Sequence, residues 1–435
     1  MNERRPHIVI VGGGISGLSV AFFLSRKFSG GSSPFRITIL EEAGRFGGVL
    51  KTLRPGEFSI EAAADTFEGS RPGTLDLCAE LGLTAELTGS EPSLKNISIR
   101  RKHHTFLVPF SSRVLTSGVL DLPGKIRLAL GSLFFRGNAG ADEDFETFLR
   151  RRFGPRFWEQ VVAPVIRGVM MAEPGQLSTR EYFPARKGGR KSPGTAWTLR
   201  GGMDRLVIAL TERLQESAVL RLHTCVRDVT RTDLWKLTLE SGETLDADAV
   251  CLALPACRSA GLLRNTAPEL FSALSAIRYG SVAVVNLMLR AEDVPPEGKR
   301  PGFIVPGQEE CWPFSCLKWV GEEGAGSPVR AKVFIPEAFH PETYGLPDDV
   351  IIERIAAALN KTWNIPGPVW AGVERYPHAL AQYGFGHRDR VRGIERMLQN
   401  FPGLYLAGNG FHGFGITDCV RSAQVAAEKI SRFIL

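Results

Sequence analysis

The chain has 435 residues, of which 43% are hydrophobic and 23% are charged, with 53 basic and 46 acidic side chains. This length suits two or three domains, because a single core stops growing at roughly 250–300 residues. The ordinary composition excludes intrinsically disordered, collagen-like and coiled-coil proteins. No window of about 18 apolar residues occurs, and the first six residues lead directly into a strand. We therefore expect neither a membrane-spanning helix nor a signal peptide.

The seven cysteines and eight histidines show no ligand spacing, since neither a CxxC pair nor an HExxH motif occurs. An odd number of scattered cysteines in a chain of this length does not suit a disulfide scaffold. We therefore predict no metal site and a reducing compartment. The expected location is the cytoplasm or the cytoplasmic face of a membrane.

The net charge of +7 is concentrated in one segment. Between Lys95 and Arg136 there are eight basic side chains and one acid, Asp121. Apolar residues such as Phe106 and Leu130 are interleaved with them, a pattern that favours a surface lying on an anionic leaflet. A solvated helical insert with an ordinary core is the alternative. Nucleic acid is not expected as a partner, because no RRM, zinc-finger or helix-turn-helix signature accompanies the charge.

A glycine motif near the N-terminus predicts a dinucleotide site. Gly12-x-Gly14-x-x-Gly17 lies between a predicted buried strand at 7–11 and a helical pattern at 18–24, and a second strand, 36–40, ends at Glu41. The glycines allow a tight turn, a close approach of backbone to a pyrophosphate, and close packing of helix on strand. Glu41 is placed to accept hydrogen bonds from ribose hydroxyls.

Further along the chain the pattern predicts a helical middle followed by strands. Short alternating apolar runs and Pro-Gly loops separate the predicted strands. The predicted helices are 125–136, 142–153, 155–170 and 418–433, and the predicted strands are 235–239, 249–254, 281–289, 329–335 and 404–407.

Two motifs resemble a large flavoprotein family that contains amine oxidases, carotenoid desaturases and protoporphyrinogen oxidases. The run from Glu41 to Gly48 resembles its ExxxRxGG extension, and residues 403–420 resemble its C-terminal flavin motif. The resemblance favours FAD over NAD as the cofactor. Thr417 and Asp418 are also expected to cap the following helix, and Cys419 is expected to be a packed thiol.

Within that family, the chain most resembles the oxygen-dependent protoporphyrinogen and coproporphyrinogen oxidases. The likeness is carried by residues 197–203, 273–287 and 382–387 together with the AGN–GxGIxDC ending, and it runs from residue 7 to about residue 430. It implies an α/β fold in which a Rossmann-type FAD-binding domain is joined to a mixed-sheet substrate domain and an inserted α-helical domain. The implied boundaries are 1–60, 202–270 and 375–435 for the FAD-binding domain, 61–94 and 271–374 for the substrate domain, and 95–201 for the helical, membrane-associating domain.

The resemblance also implies the residues that contact FAD, with Val226 acting through its backbone. Ala63 and Ala64 depart from the family's usual Gly-Pro at that place. The implied set is Gly12, Gly13, Gly14, Ile15, Ser16, Gly17, Glu41, Glu42, Arg45, Gly48, Val49, Ala63, Ala64, Asp65, Thr66, Val226, Asn409, Phe414, Gly415 and Ile416.

The same resemblance implies that Ile304 and Phe334 line the substrate pocket, although ordinary strand core explains them equally well. Ile97 stands where many members have an arginine that pairs with a propionate of the tetrapyrrole. Lys95, Arg100 and Arg101 are the alternative cations. No catalytic base is identified, since a lone histidine such as His387 or His412 is more often structural.

The implied reaction is the oxidation of protoporphyrinogen IX to protoporphyrin IX in haem biosynthesis, with molecular oxygen as acceptor and hydrogen peroxide as product. Coproporphyrinogen III is the closest alternative substrate. An amine or an isoprenoid is the next alternative, and a flavin-binding membrane-surface protein without turnover is the last. A homodimer is left open, because the sequence does not reveal the oligomeric state.

Overall fold

The computed structural model describes residues 4–26, 33–90, 96–101, 104–109, 120, 122–133, 142–182, 196–294, 302–306, 312–320 and 327–435. Contacts divide the chain into two units. Unit 1 comprises Met1–Ser90, Ser192–Arg278 and His387–Leu435, and unit 2 comprises Glu91–Lys191 and Tyr279–Gly386.

The strands, numbered along the chain, are β1 His7–Val11, β2 Arg36–Leu40, β3 Thr52–Leu53, β4 Ile60–Glu61, β5 Phe67–Glu68, β6 Leu87–Ser90, β7 Asn96–Arg101, β8 His104–Pro109, β9 Ala196–Leu199, β10 Val219–Arg221, β11 Val226–Arg231, β12 Trp235–Leu239, β13 Thr244–Ala247, β14 Ala249–Leu252, β15 Arg278–Leu289, β16 Phe303–Ile304, β17 Cys316–Trp319, β18 Val329–Pro336, β19 Trp370–Gln382 and β20 Leu404–Leu406.

The α-helices are α1 Ile15–Ser25, α2 Thr74–Glu80, α3 Leu122–Leu133, α4 Phe145–Phe153, α5 Pro155–Phe157, α6 Ala163–Met170, α7 Thr179–Tyr182, α8 Asp204–Leu214, α9 Ala256–Leu263, α10 Pro268–Ser275, α11 Pro341–Tyr344, α12 Asp348–Trp363, α13 His387–Met397 and α14 Ile416–Ile434. A π-helical stretch, Trp158–Val162, joins α5 to α6. In the described parts of the chain, no helix combines the length and apolar character needed to cross a bilayer.

Unit 1 is organised around a five-stranded parallel sheet with the order β10-β2-β1-β14-β20. All five residues of β1 are buried, as expected for a parallel strand covered on both faces. Helices α1, α8 and α14 pack against this sheet in one apolar core. Helix α1 is buried almost all round, whereas α14 buries one face and exposes the other.

Unit 2 contains a seven-stranded mixed sheet with the order β19-β15-β18-β17-β16-β7-β8. Strands β16 and β7 are parallel, and their neighbours pair antiparallel. One face of the sheet packs through Val285 and Val333 on Ile351 and Ile355 of α12. The opposite face receives α6, because a Cβ added to Gly168 would lie 2.9 Å from the Cγ2 atom of Ile304.

The structure confirms the predicted βαβ start, the three predicted helices of the middle segment and the C-terminal strand and helix, within about three residues at most ends. The prediction that 95–201 is helical is wrong for its first part. Residues 96–101 and 104–109 form the antiparallel pair β7 and β8, which we call the hairpin β7–β8 and which extends the mixed sheet. The alternation of polar and apolar residues from Asn96 to Arg100 is in fact typical of a strand, and it outweighs the basic character of the segment.

Candidate cofactor site

The glycine loop joins β1 to α1 and leaves the start of the helix open. Gly12 N–H donates to the Leu40 carbonyl over 2.8 Å. A Cβ at Gly17 would lie 1.9 Å from the Gly12 oxygen, so only glycine allows the first turn of α1 to lie this close to the loop. Gly14 caps α1 without a side chain, and the first turn contains no acid. The N-terminal N–H groups of α1 therefore suit an anion.

Glu41 holds the glycine loop from the end of β2. One carboxylate oxygen accepts from the Gly13 N–H at 2.7 Å, and the other accepts from the Ala43 N–H at 2.9 Å. Its neighbour Glu42 lies on the surface instead and pairs with the Arg258 guanidinium through both oxygens. The two consecutive acids therefore have different environments, and only Glu41 is bonded to the glycine loop.

Arg45 shapes the second glycine turn. Its guanidinium donates to the carbonyls of Phe46, Gly48 and Leu50 over 3.1, 2.5 and 3.0 Å. These bonds fix the loop that contains Gly47 and Gly48, a positioning role that the sequence did not indicate. The expected contact of Arg45 with the cofactor stays a prediction.

The two glycine turns face each other through backbone at Gly14 and Gly48, while the Phe46 ring packs against Gly13. Gly14 and Gly47 form an isolated β-bridge. A Cβ at Gly14 would meet nothing closer than the Gly48 Cα at 4.0 Å, and one at Gly48 would lie 3.4 Å from the Gly14 Cα. This cradle, lined by backbone beside an open helix N-terminus, fits the pyrophosphate of a dinucleotide.

The C-terminal motif lies beside the same loop. A Cβ at Gly408 would lie 4.0 Å from the Ser16 Oγ, and the Cys419 thiol interacts with the Ser16 side chain. The Gly408 N–H donates to Ser422 Oγ at 3.2 Å. Burial raises the pKa of Cys419 to about 11, in agreement with a packed thiol rather than a redox partner.

The start of α14 is capped by one of the two residues expected to do so. Asp418 accepts from the Gly415 N–H at 3.2 Å and pairs with Arg71 at 2.9 Å. Thr417 does not cap the helix, because its hydroxyl donates to the Glu68 carbonyl at 2.8 Å. The sequence did not single out Arg71, which has no motif around it.

All the residues predicted to contact FAD belong to unit 1. Val49 and Phe414 are partly exposed, and Ile416 is buried. The Ala63–Thr66 segment is half-buried and lies between β4 and β5, while Val226 opens β11 at a bulge. For these residues the structure shows only that they belong to the same unit as the glycine loop. Their contact with the cofactor stays a prediction.

The two histidines near the C-terminal motif have structural partners. Nε2 of buried His387 lies 3.2 Å from the Phe411 carbonyl, and burial lowers the pKa of His387 to about 4. A neutral imidazole at pH 7 follows. His412 is exposed and lies 3.1 Å from a Glu395 carboxylate oxygen. Neither environment marks a catalytic base.

The predicted substrate residues belong to unit 2. Ile304 pairs with Cys316, and Cys316 pairs with Phe334, so both predicted residues lie in one cross-strand row that continues to Val284. The side chain of Ile97 is outside the described residues. Its backbone pairs in β7, two positions before Ile99, which is opposite Ile304.

Of the three cations that could replace the family's arginine at Ile97, Arg100 is the one whose side chain the structure describes. Arg100 is buried, and its guanidinium lies 5.6 Å from the Trp312 ring centroid, 5.0 Å from that of Trp363 and 5.9 Å from that of Phe303. It is therefore enclosed by aromatic rings and is not an accessible carboxylate ligand. Lys95 and the side chain of Arg101 lie outside the described residues.

Comparison with known proteins identifies the family. The model of the family described as flavin containing amine oxidoreductase matches residues 15–431. The chain belongs to this family. It is an FAD-dependent oxidoreductase, and the glycine cradle fits that cofactor.

Among similar proteins are a coproporphyrinogen III oxidase of Bacillus subtilis (strain 168) and a protoporphyrinogen oxidase of Homo sapiens. Both are 26% identical to this chain. The Bacillus subtilis alignment spans 467 residues and covers 98% of each chain. The Homo sapiens alignment spans 487 residues and covers 97% of this chain and 98% of the relative. A solved structure from Exiguobacterium sp. 255-15, provisionally named protoporphyrinogen oxidase, has a TM-score of 0.84 at 24% identity and covers 99% of both chains. Cyclohexylamine oxidase from Brevibacterium oxydans IH-35A has a TM-score of 0.72 at 15% identity, with 99% of both chains covered. These structures share the mixed α/β fold.

Proposed function

We propose that this protein oxidises protoporphyrinogen IX to protoporphyrin IX in haem biosynthesis, with molecular oxygen as the acceptor and hydrogen peroxide as the second product. The observation that carries the proposal is similarity over nearly the whole chain to relatives named for oxidation of porphyrinogens. A haem-biosynthetic role is the consequence of that substrate.

The proposed domain organisation follows the sequence boundaries. A Rossmann-type FAD-binding domain comprises 1–60, 202–270 and 375–435, a substrate domain comprises 61–94 and 271–374, and the inserted segment 95–201 is mostly helical. The parallel sheet and glycine loop of unit 1 support the first assignment. The mixed sheet of unit 2 supports the second assignment for 279–374, whereas residues 61–90 and 271–278 belong to unit 1 and 375–386 to unit 2.

In this proposal the cofactor is held by unit 1. The cradle between Gly14 and Gly48 and the first turn of α1 bind the pyrophosphate, and Glu41 accepts from the adenosine ribose. Bound FAD supplies the two-electron oxidation. At the start of α14, Ile416 presents its backbone N–H group to the flavin end, and Gly415, whose own N–H donates to Asp418, allows the close approach.

Within the apolar row of unit 2 we assign the substrate contact to half-buried Phe334, because Ile304 and Val284 are buried and Ile304 packs against α6. Val284, Phe334 and Ile304 lie on one face of the mixed sheet, as the register of β15, β18, β17 and β16 shows for the backbone. An apolar surface suits the macrocycle and excludes water. No residue in this row titrates near neutral pH, since burial raises the pKa of the Cys316 thiol to about 12. We therefore assign no base to the protein.

A second row gives a reason to test the coproporphyrinogen III alternative. Ile97, Gly302, Lys318, Lys332 and Asn286 occupy matching positions on β7, the residue before β16, β17, β18 and β15. Two lysines therefore share a row with the position where the family has its arginine. Additional propionates would favour such cations. The Bacillus subtilis relative is named for that substrate.

The test of the reaction class is anaerobic mixing of the FAD-loaded protein with protoporphyrinogen IX. We expect bleaching of the oxidised flavin absorbance, and no bleaching with a primary amine or an isoprenoid at the same concentration. Bleaching by the amine or isoprenoid alone would overturn the porphyrinogen assignment and leave the flavin oxidoreductase class intact.

We also propose that α3 contributes to binding at an anionic membrane surface. Leu122, Ile126 and Leu130 are each more than half exposed and recur every four residues along α3, so they lie on one face. Exposed apolar residues beside basic ones suit the boundary between headgroups and acyl chains.

The membrane test uses Ile126→Glu with Leu130→Glu and sedimentation with phosphatidylglycerol vesicles. We expect a loss of vesicle binding of at least fivefold. Val369→Glu is the matched control, because Val369 is equally exposed but lies outside the basic segment. Unchanged binding of the double variant, or an equal loss in the control, would contradict the proposal. Charge reversal at Arg100 would not test membrane binding, because Arg100 is buried and the variant is expected to unfold.

A further inference from the structure

A groove of about 900 Å³ lies within unit 1, away from the residues assigned to the cofactor's pyrophosphate. It is bounded by α13, the segment 398–401, the edge strand β20 and the exposed face of α14, and we call it the α14 groove. Its apolar lining includes Leu398, Phe401, Tyr405 and Val425. The size is typical of a specific binding site.

The floor of the groove includes an unpaired sheet edge. Among the residues that the structure describes, strand β20 pairs with β14 alone and so ends the five-stranded sheet. Val250 N–H donates to the Gly403 carbonyl at 2.7 Å, and Ala407 N–H donates to the Leu252 carbonyl at 3.1 Å. In a parallel ladder this parity turns the carbonyl of Leu404 and both backbone groups of Leu406 to the open edge. Such groups are the usual template for an added strand.

One wall of the groove carries basic side chains without acidic partners. Arg421, Lys429 and Arg432 project from the exposed face of α14, and none of them forms an ion pair with another residue that the structure describes. The two acids in the lining are already engaged, Glu395 with His412 and Asp418 with Arg71. The groove therefore presents unbalanced positive charge.

The spacing of these cations matches an extended chain. Arg421 and Lys429 are eight residues apart, which is about 12 Å along a helix axis, with Val425 midway between them. In an extended strand, residues four apart lie about 13 Å apart on the same face, with a third residue of that face between them. An acid, an apolar residue and a second acid at alternate positions of a strand would therefore meet Arg421, Val425 and the Lys429–Arg432 pair.

We propose that the α14 groove binds an extended acidic segment of a partner protein, which adds as a strand to β20 and pairs its carboxylates with α14. This interaction surface does not depend on the substrate assigned above. Open backbone groups, complementary charge and matching spacing favour a peptide over a lipid, because an acyl chain would leave the edge of β20 unpaired.

The test uses a synthetic heptapeptide with glutamate at its second and sixth positions, valine at its fourth and threonine elsewhere, titrated into the FAD-loaded full-length protein. We expect saturable binding, and slower hydrogen exchange in the 403–407 segment of the bound protein. A peptide with lysines in place of the glutamates should bind at least tenfold more weakly. Absence of saturable binding, or protection elsewhere without protection at β20, would overturn the proposal.

Two charge reversals locate the contact. Lys429→Glu should weaken peptide binding at least tenfold, whereas Lys236→Glu, an exposed lysine on β12 outside the groove, should change it less than twofold. FAD absorbance of both variants should equal that of the wild type, which separates loss of the groove from loss of the fold. Equal effects of the two substitutions would overturn the proposal.

Other occupants give different results. Oleate binding that is sensitive to Lys429→Glu, with no peptide binding, would assign the groove to a lipid carboxylate instead. Concentration-dependent dimerisation of the protein that Lys429→Glu abolishes, again without peptide binding, would assign it to a second copy of the chain. Either outcome overturns the peptide proposal.

Discussion

The two units differ in how their polar groups are organised. In unit 1, the polar contacts of the glycine loop join residues that also form sequence motifs, such as Glu41 with Gly13 and Arg45 with Gly48. In unit 2, Arg100 and Lys332 are buried in or beside a mixed sheet, and no motif surrounds them. Residues that bind backbone therefore lie close together in the sequence, whereas the residues that enclose a buried charge are brought together by distant strand pairing.

Gly17 is the position in unit 1 where a substitution should do most damage. Gly17→Val places side-chain atoms where a Cβ alone would lie 1.9 Å from the Gly12 oxygen, so α1 must move away from β1. We expect loss of bound FAD and destabilisation of about 3 kcal/mol or more, measured by flavin absorbance and urea unfolding. Gly261→Ala in α9 is the control, because a Cβ there meets nothing within 4 Å, and it should leave both quantities unchanged or raise stability slightly. Full flavin content in Gly17→Val would contradict the account.

The next effect concerns acid stability and His387 in unit 1. Burial lowers the pKa of His387 to about 4, so below its ordinary value of 6.5 the unfolded chain binds a proton that the folded chain does not. Stability therefore falls as the pH drops from about 6.5 to 4, by about 3 kcal/mol for this group. Urea unfolding at pH 7 and pH 4 measures the drop in the free energy of unfolding. This drop should be smaller in His387→Gln than in the wild type by the same amount. Equal drops in the variant and the wild type would refute the assignment. His7 and His340, whose pKa values are also lowered by burial, are present in both proteins, so their contributions cancel in the comparison.

Arg100 tests the other side of the comparison. Arg100→Ala removes the guanidinium from among three aromatic rings and leaves a void in unit 2, so we expect a loss of about 2 kcal/mol in the free energy of unfolding. Arg100→Lys keeps the charge but not the planar group and should lose less. Urea unfolding monitored by tryptophan fluorescence measures both. An Arg100→Ala variant as stable as the wild type would show that the aromatic enclosure contributes nothing.

The smallest expected effect compares two adjacent acids. Glu41→Gln weakens the bonds to the Gly13 and Ala43 N–H groups, so we expect FAD affinity to fall about tenfold, or about 1.4 kcal/mol. Glu42→Gln breaks only an exposed ion pair with Arg258 and should change FAD affinity less than twofold. Titration of the apoprotein with FAD measures both. Equal losses would mean that Glu42 also contacts the cofactor.

Much of unit 1 was predictable because its signals are local. The strand at 7–11, its glycine turn and Glu41 lie within a short stretch, and the structure brings Glu41 onto the Gly13 N–H. The capping role of Asp418 was also predicted, but that of Thr417 was wrong, since Thr417 bonds to Glu68, far away in sequence.

Unit 2 was less predictable for the same physical reason. Strand β7 joins the mixed sheet by pairing with β16, about 200 residues away, and the local alternation at 96–100 does not reveal that partner. The burial of Arg100 depends on Phe303, Trp312 and Trp363, which no spacing rule connects to it. The sequence predicted Arg45 only as a countercharge for the cofactor. Its guanidinium also donates to nearby backbone carbonyls, and the residue type alone does not distinguish these two uses.

Aerobic oxidation of protoporphyrinogen IX and coproporphyrinogen III by the FAD-loaded protein, followed by porphyrin fluorescence and peroxide release, tests the proposed function. We expect a fluorescence rise well above the autoxidation blank with protoporphyrinogen IX, accompanied by peroxide and abolished in the FAD-free protein. A faster rise with coproporphyrinogen III would transfer the assignment to that substrate. No rise with either porphyrinogen, in protein that retains its FAD, would contradict the proposed function.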